Sequence, residues 1–338
     1  MTFLLTRRET LLTGSAALIA AGLSPACAAQ SGWRPGTSLP LAMQEIYPTK
    51  LAGRIHVAGG LYTEGGQVRG ATARHFSWTP GDEAWTEKAS LPSPRHHPNL
   101  VGHAAQLYAL GGFDTREGGV DWTMTGQTLI YDPDTDQWTE GPTAPEPHGE
   151  TVCVAMGSFI HVIGGRTPKA DANLRWTDHV DSDRHFILDT ASGNWQAAAP
   201  ALVKRNSAAG AKLGDAIHVV GGRQVGGGNL TDHEVYDPRE DRWRKAAPMP
   251  QGQGGLAAAA LGGQLYAFGG EYFADGGGVY PEAWVYDPQT DAWAAIEDML
   301  TPRHGLGAVS LGDEIYVIGG AKQRGGEETS PAVEVYRV

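Results

Sequence analysis

Arginine recurs in this sequence at two kinds of position, each at a fixed distance from a landmark. The landmarks are six tryptophans, each followed 26 residues later by the first glycine of a pair: Trp33, Trp85, Trp138, Trp195, Trp243 and Trp293. Ten residues after a tryptophan come Arg95, Arg205 and Arg303, and directly after a glycine pair come Arg166 and Arg223. The planar guanidinium group fits a carboxylate or a phosphate. Five arginines at equivalent positions therefore predict a binding site for an anion.

Histidine and glutamate occupy the neighbouring positions, ten to twelve residues after a tryptophan or directly after a glycine pair. The further groups that can bind a ligand or transfer a proton are Glu45, His97, His148, Glu150, Glu271 and His304. Mutarotation of a sugar needs only one acid and one base near the ring oxygen, so these residues permit catalysis without requiring it. We predict a single ligand site that combines these six residues with the five arginines and holds no metal ion.

The spacing that carries these residues also predicts the fold. Each glycine pair closes a short apolar run, as in RIHVAGG and QLYALGG, and turns such as YDPDTDQW lead to the later tryptophans. Asp-Pro favours a turn, and tight glycine-rich turns suit two-residue hairpins. Each unit of 48–57 residues therefore predicts four antiparallel strands. Six such units predict an all-β propeller with six blades.

Double glycine, Tyr-Asp-Pro and tryptophan at a period near 50 resemble the kelch repeat, and the resemblance covers residues 29–338. It implies a closed ring of blades. The last unit ends at Val338 without a tryptophan strand, whereas Trp33 has no strands of its own before it. We expect the N-terminal strand to complete the last blade, which would remove both exposed sheet edges.

The kelch resemblance leaves two roles open for three of the arginines. Kelch units often carry arginine where the inner strand begins, and there it packs between blades, so Arg95, Arg205 and Arg303 fit a structural role as well as a binding role. Arg166 and Arg223 occupy a position where other units have Leu, Phe, Glu or Ala, which favours ligand binding. The segment between the glycine pair and the third strand varies most in length, so we expect the binding face there.

A second aromatic position lies 23 residues after each tryptophan and alternates between histidine and tyrosine. Its occupants are His56, Tyr108, His161, His218, Tyr266 and Tyr316. A position that accepts both residue types is typical of packing. We therefore exclude these three histidines from the ligand site.

The longest variable segment, residues 166–189, is rich in Asp and His: Asp178, His179, Asp181, Asp183 and His185. Part of it is expected to be the third strand, whose alternate side chains face opposite ways, and it lacks the iron motif of the plant kelch specifier proteins. Whether residues 171–185 bind a metal stays open. We exclude a copper radical oxidase, because no tyrosine falls at the ring positions and Cys153 lies deep in its strand, and we expect no cofactor.

The first 28 residues are typical of an export signal. The pair Arg7-Arg8, an apolar run over residues 11–23 and small residues at 26–28 follow the order of a twin-arginine signal. Without residues 1–28 the chain has 24 basic and 37 acidic residues, a net charge of −13 that disfavours nucleic acid and anionic lipid. No later segment is long and apolar enough to span a membrane. We expect a periplasmic product that does not insert into the membrane.

Two functional hypotheses follow from the resemblance. The first is an exported propeller that binds a small anionic ligand, most simply a carboxylated sugar, or a partner protein. The second is a sugar mutarotase or epimerase, because the chain also resembles exported bacterial N-acetylneuraminate epimerases in its six units, its export signal and its arginine-rich axis. It departs from those epimerases in lacking a long insertion.

Overall fold

The computed structural model describes residues 32–65, 67–116 and 119–338. The predicted signal over residues 1–28 lies outside the described residues. The described chain forms six antiparallel blade sheets of four strands each, which confirms the predicted six-bladed, all-β kelch propeller. In each blade the strands run from the inner strand A through B and C to the outer strand D.

The bounds of strands A to D are as follows. They are Thr49–Leu51, Arg54–Ala58, His75–Trp78 and Thr86–Lys88 in blade 1; Asn99–His103, Gln106–Leu110, Thr128–Asp132 and Gln137–Glu140 in blade 2; Val152–Met156, Phe159–Ile163, His185–Asp189 and Asn194–Ala197 in blade 3; Ala209–Leu213, Ala216–Val220, His233–Asp237 and Arg242–Lys245 in blade 4; Ala257–Leu261, Gln264–Phe268, Ala283–Asp287 and Ala292–Ile296 in blade 5; and Gly307–Leu311, Glu314–Ile318, Val333–Arg337 and Gly32–Pro35 in blade 6.

Blade 6 takes its outer strand from the opposite end of the chain. Gly32–Pro35 pairs antiparallel with Val333–Arg337, and Trp33 lies opposite Tyr336. The Trp33 ring also packs edge-on against Phe268 of blade 5, with ring centroids 5.5 Å apart. The prediction that the N-terminal strand completes the last blade is therefore confirmed.

The repeated tryptophans join neighbouring blades. The indole N–H of each one donates at 2.8–3.1 Å to a backbone carbonyl just after strand D of the preceding blade. In chain order the acceptors belong to Glu297, Thr37, Ala89, Pro142, Ala199 and Ala247. A contact that repeats around the ring with the same geometry explains why the tryptophan interval is constant.

The glycine pairs allow the same close approach on the inner side of the ring. Both glycines of every pair have positive φ. The second glycine donates its N–H at 2.8–2.9 Å to a carbonyl of the next blade, as Gly270 does to Arg303. A Cβ on Gly269 would overlap that same Arg303 carbonyl oxygen. Glycine is needed here because other residues resist this conformation and lack the space.

The connections between strands B and C form a second layer on one face of the ring. Their short strands, with the segments that pair with them, are Ala42–Gln44, Leu61–Glu64 and Gln67–Ala71; Arg95–His96, Phe113–Asp114 and Thr123–Met124; Arg166–Pro168 and His179–Asp181; Arg223–Gln224 and Gly228–Asn229; and Glu271–Tyr272 and Gly278–Val279. Two 3-10 helices, Trp176–Asp178 and Ala274–Gly276, lie in the same layer. Over the described ranges, no helix has the length and hydropathy needed to cross a membrane.

Candidate functional site

A cavity of about 790 Å³ opens among the B–C connections around the axis of the ring. The turns that lead into the inner strands form its floor, and the B–C connections form its walls. The polar and aromatic side chains of its lining include Glu45, His97, Trp122, Glu150, Trp176, Asn206, Arg223, Glu271, Phe273 and Tyr280. The cavity thus lies on the face where the connections vary most in length.

The floor residues share one backbone conformation. In all six blades, the residue twelve positions after the landmark tryptophan has a φ between 49° and 69°. In five of the six blades a backbone hydrogen bond joins this residue to its counterpart in the preceding blade, as from Glu45 N–H to the Gly305 carbonyl at 2.7 Å and from Gly305 N–H to the Gly255 carbonyl at 2.9 Å. Glycine adopts such a φ freely, whereas other residues do so at a cost. Four blades nevertheless carry a polar side chain here: Glu45, His97, Glu150 and Ser207.

Glu45 and His97 form the first pair on this floor. His97 Nε2 lies 2.9 Å from Glu45 Oε2, and His97 Nδ1 lies 2.7 Å from Nδ1 of His96. Burial alone would raise the pKa of Glu45, but His97, His304 and Arg223 outweigh burial and hold that pKa well below its ordinary value. The pair therefore places an acidic and a basic group together at the cavity.

Arg223 and Glu271 form the second pair. Arg223 Nη1 is bonded to Glu271 Oε1, and Glu271 Oε2 accepts the backbone N–H of Gly325 at 2.7 Å. Burial lowers the pKa of Arg223, yet the surrounding carboxylates, Glu271 first, raise it overall. His304 lies between the two pairs, with Nδ1 3.7 Å from Glu45 and 3.6 Å from Glu271.

Glu150 forms the third acidic group of the floor. It accepts the Ser207 hydroxyl at 2.6 Å and lies 3.6 Å from Arg166 Nη1. Arg166 is buried beneath Trp176: its guanidinium carbon lies 4.0 Å from the centroid of the indole ring, and its Nη2 donates to the Trp176 carbonyl at 2.8 Å. Arg166 therefore supports the cavity wall from behind.

Apolar side chains surround the cavity mouth. Val68, Val120, Trp176, Val225 and Phe273 line the cavity and are 41–54% exposed. A charged, hydrogen-bonding floor beneath an apolar rim is the composition of a small-molecule site. The rim can pack against the apolar face of a ligand while the floor satisfies its polar groups.

Three predicted arginines lie inside the blades. The ion pairs there join Arg95 to Asp114 at 2.9 Å, Arg205 to Glu234 at 2.5 Å and Arg303 to Glu334 at 3.0 Å. Each arginine is at most 2% exposed and also donates to backbone carbonyls, as Arg303 does to Gly319 and Ala332 at 2.8 Å. The structure corrects the prediction that these three line the cavity, because each has a carboxylate on its own blade and needs no ligand.

His148 also lies outside the cavity lining. It takes the place that arginine fills in blades 2, 4 and 6, and its Nδ1–H donates to the Glu146 carbonyl at 3.1 Å. Burial, with Arg95 nearby, lowers the pKa of His148 to about 4. His148 is therefore a neutral imidazole packed inside the blade, and the structure corrects the prediction that it belongs to the ligand site.

The predicted site is therefore divided in the structure. Its members that line the cavity are Glu45, His97, Glu150, Arg223 and Glu271. Arg166 and His304 contact these lining residues, and Arg95, His148, Arg205 and Arg303 belong to the blades. Within the residues that the structure describes, Arg223 is the single arginine of the lining, so the expected surplus of positive charge is absent from it.

The Asp- and His-rich connection of blade 3 disperses its side chains. Asp178 accepts two backbone N–H groups of its own turn. Asp181 accepts the Asn206 amide at 2.5 Å, and His185 pairs with His161 inside the blade. Among the described residues, no three His, Cys, Asp or Glu side chains are grouped so as to hold a metal ion.

Two aromatic residues of the cavity lining were not predicted from the sequence. Of ten tryptophans, six are landmarks of the repeat, whereas Trp122 and Trp176 lie in the two longest B–C connections. Their position outside the repeat was the available signal, because a large aromatic residue in a variable connection is not required by the blades.

Residues 150–330 match the family described as the KLHDC2/KLHL20/DRC7 Kelch-repeats domain. Kelch-like protein terF of Aspergillus terreus is 28% identical over 189 residues, which are 55% of this chain and 40% of that protein. Beta-scruin of Limulus polyphemus is 27% identical over 193 residues, 55% of this chain and 20% of that protein. The match thus spans less than half the length of either relative.

A solved structure, titled "Structure of YjhT", superposes on this chain with a TM-score of 0.73 and 16% sequence identity. The match covers 89% of this chain and 99% of that one. At this identity the likeness concerns the fold alone.

Proposed function

Since this chain belongs to the kelch-repeat family, we propose that its propeller binds a small, hydroxyl-rich ligand of the sugar class in the axial cavity. The observation that carries the proposal is the floor. Glu45, His97, Glu150 and Ser207 are held in a backbone conformation that glycine adopts more easily. Polar side chains kept at such a cost beside a cavity favour binding over packing.

The composition of the cavity supports a sugar in particular. Glu45, Glu150 and Glu271 accept from His97, Ser207 and Gly325, and a carboxylate has further acceptor sites to which ligand hydroxyl groups can donate. The exposed faces of Trp176 and Phe273 suit the apolar face of a sugar ring. Hydroxyl groups toward the floor and ring carbons toward the rim would use both surfaces at once.

The charged residues of the cavity also bear on the charge of the ligand. A carboxylated sugar, as the sequence suggested, has one place to bind in this cavity, the Arg223 guanidinium, and there it competes with Glu271. Among the described residues of the floor, the arginines already face carboxylates, Arg223 facing Glu271 and Arg166 facing Glu150, which favours an uncharged ligand over an anion. We therefore propose a neutral sugar as the preferred ligand and a carboxylated sugar as the weaker one.

Isothermal titration tests this proposal with two matched sets of probes. The neutral set is glucose, galactose and N-acetylglucosamine, and the anionic set is N-acetylneuraminate, glucuronate and gluconate. We expect heat from at least one neutral probe. Phe273→Ala should weaken that probe about 10-fold, because one apolar contact of roughly 1.4 kcal/mol is lost.

Leu300→Ala is the matched control, because Leu300 is also about half exposed (51%) but is not part of the cavity lining. It should leave the affinity unchanged. Binding confined to the anionic probes would overturn the preference for a neutral ligand. Absence of heat from all six probes would overturn the sugar proposal and leave a partner protein, contacting the apolar rim, as the function of this face.

A sugar mutarotase or epimerase is the second candidate function, and the Glu45–His97 pair beside His304 favours it. An acid at the ring oxygen and a base at the anomeric hydroxyl suffice for mutarotation. Proton NMR of freshly dissolved N-acetylneuraminate and glucose measures the conversion of one anomer into the other. Conversion no faster with the protein than without it excludes this function and leaves the binding function.

We further propose that the chain is exported to the periplasm by the twin-arginine route. The order of Arg7-Arg8, apolar run and small residues supports this. Replacing both arginines by lysine should leave folded protein in the cytoplasmic fraction, because the arginine pair is the signal that is read. Unchanged export of the Arg7→Lys, Arg8→Lys variant would contradict the route.

A further inference from the structure

Two adjacent histidines and one glutamate form a continuous chain of three polar contacts below the cavity. His96 Nε2 lies 2.9 Å from the backbone carbonyl oxygen of Asp121. His96 Nδ1 lies 2.7 Å from His97 Nδ1, and His97 Nε2 lies 2.9 Å from Glu45 Oε2. All three distances are those of hydrogen bonds, so each contact requires a hydrogen atom between its two heavy atoms.

Neutral histidines beside an ionised Glu45 do not supply enough hydrogen atoms for these three contacts. A neutral histidine carries one N–H, and an ionised carboxylate and a backbone carbonyl carry none. Two neutral histidines therefore supply two hydrogens for three contacts. In every arrangement of neutral histidines with an ionised Glu45, one contact sets two lone pairs against each other at less than 3 Å. The chain of contacts requires one more proton.

Three other histidine pairs in this molecule provide an internal control, and their count is balanced. His56 and His75 make two contacts, between the rings at 3.0 Å and from His75 to the Ala89 carbonyl at 3.3 Å. The pairs His161 with His185 and His218 with His233 repeat this pattern. Two contacts need two hydrogens, which two neutral rings supply. The extra proton is thus specific to the pair that adjoins the cavity.

The surroundings decide which groups hold the extra proton. Burial, together with His97, lowers the pKa of His96 to about 3, so His96 is neutral and its Nδ1 accepts. His97 faces Glu45, His96 and the rings of Tyr47, Phe113 and Trp122. Glu45 also faces His304 and Arg223. The contact between His97 Nε2 and Glu45 Oε2 is the remaining place for the proton.

We propose that His97 and Glu45 hold one ionisable proton between them, fixed there by His96, and that they form the acid–base pair of the cavity toward a ligand hydroxyl group. The pair gives its proton to a ligand oxygen and regains one from a ligand hydroxyl, so no other reactant is needed. The storage of the proton is independent of any ligand. Its use on a hydroxyl group rests on the proposed function.

Nitrogen NMR of the full chain with ¹⁵N-labelled histidine tests the proton count without a ligand. At pH 7.5 we expect both ring nitrogens of His97 to be protonated and, in a matching ¹³C spectrum, the Glu45 carboxyl to be ionised. The rings of His56, His161 and His218 should each carry one proton. A singly protonated His97 beside an ionised Glu45 would overturn the proposal.

Two variants make the test specific. In Glu45→Gln the amide N–H supplies the third hydrogen, so His97 should become neutral with its proton on Nδ1. In His96→Phe, whose ring can keep the stacking on Phe113 at 4.8 Å, His97 has no acceptor to satisfy and should carry a single proton on Nε2. A His97 that stays doubly protonated in both variants would contradict the proposed cause.

The two proposals can fail separately. If the proton count is confirmed and none of the six probes binds, the sugar proposal is wrong and the proposal of a shared proton between His97 and Glu45 is retained. If a probe binds while wild-type His97 carries one proton beside an ionised Glu45, the acid–base pair falls alone.

Discussion

At the residue scale, the alternation of histidine and tyrosine in strand B has a partner in strand C. Where strand B carries His56, His161 or His218, strand C begins with His75, His185 or His233, and the two rings are hydrogen-bonded. Where strand B carries tyrosine, strand C begins with Thr128, Ala283 or Val333. The packing role predicted for His56, His161 and His218 agrees with the structure, in which all three are buried and paired with a histidine of strand C.

These histidine pairs should make the propeller sensitive to acid. In blade 3, burial lowers the pKa of His161 to about 4 and, with His161 nearby, the pKa of His185 to about 3. Histidine in an unfolded chain titrates near pH 6.5. Between pH 6.5 and about 4 the unfolded chain therefore binds protons that the folded chain does not bind. The contribution of these histidines to the free energy of unfolding is therefore fully present above pH 6.5, and it decreases as the pH falls through this window.

A variant that copies blade 5 into blade 3 tests this origin of acid sensitivity. His161→Tyr, Ile163→Phe and His185→Ala reproduce Tyr266, Phe268 and Ala283, which face the same kind of Tyr and Trp neighbours in the next blade. We expect the variant to lose about 2–4 kcal/mol less stability than wild type between pH 7.5 and pH 4.5. Denaturant unfolding at both pH values measures this difference, and equal losses would show that other groups cause the acid sensitivity.

At the element scale, two of the three buried blade arginines, Arg205 and Arg303, are matched by a glutamate in strand C of their own blade. Arg205 faces Glu234 in HEVYDP and Arg303 faces Glu334 in VEVYRV, whereas blade 5, with Gln253 instead, has tryptophan at the same place in AWVYDP. This covariation is visible in blades 4 to 6, whereas Arg95 of blade 2 has Leu129 at the same place and pairs with Asp114 of its B–C connection. Glu234 and Glu334 lie in strand C and not at the floor positions, and they pair with Arg205 and Arg303 without a ligand.

Removing one member of such a pair should be costly. Arg205→Ala leaves Glu234, which is 0% exposed, without its cation, and we expect a loss of about 3–5 kcal/mol in the free energy of unfolding. The double variant Arg205→Gln, Glu234→Trp copies Gln253 and Trp284 of blade 5 and should cost clearly less. Chemical denaturation of both proteins decides the matter, and an equal or larger loss in the double variant would contradict the matched-pair explanation.

The elements differ in how far the sequence predicts them. The blade strands follow from fixed intervals, because the tryptophan and glycine contacts between blades repeat around the ring with one geometry. The sequence indicates the left-handed turn at the floor only in part, because glycine occupies just two of its six positions, Gly255 and Gly305. The cavity walls are hardly predicted by the sequence, because contacts among B–C connections of unequal length follow no repeat, and a wall residue such as Phe273 is placed only by the three-dimensional structure.

At the scale of the whole molecule, one short strand closes the ring. Gly32–Pro35 covers the edge of strand C in blade 6, the Trp33 indole donates to the Glu297 carbonyl of blade 5 at 2.9 Å, and Arg34 is paired with Glu314 at 2.8 Å. A chain that begins at Ser38 lacks these contacts and exposes the edge of Val333–Arg337. Open edges promote pairing with other chains, so we expect this truncated protein to unfold at lower temperature and to associate.

Circular permutation separates the role of the strand from the role of its position in the chain. Gly32 lies opposite Arg337, just as Gln137 lies opposite Asp132 in blade 2, where residues 133–136 form the turn. A chain that starts at Ser38 and continues from Arg337 through a copy of residues 133–136 into residues 32–37 should therefore form strand D of blade 6 as an ordinary hairpin. The last Asp of that turn would accept the Tyr336 hydroxyl, as Asp136 accepts that of Tyr131 at 2.6 Å.

Because the same contacts are made and only the connection changes, we expect a monomer whose melting temperature lies within a few degrees of wild type and well above that of the truncated chain. Calorimetry and gel filtration of the three proteins measure this, and a permuted chain as unstable as the truncated one would show that closure depends on residues before Gly32 and not on the strand itself.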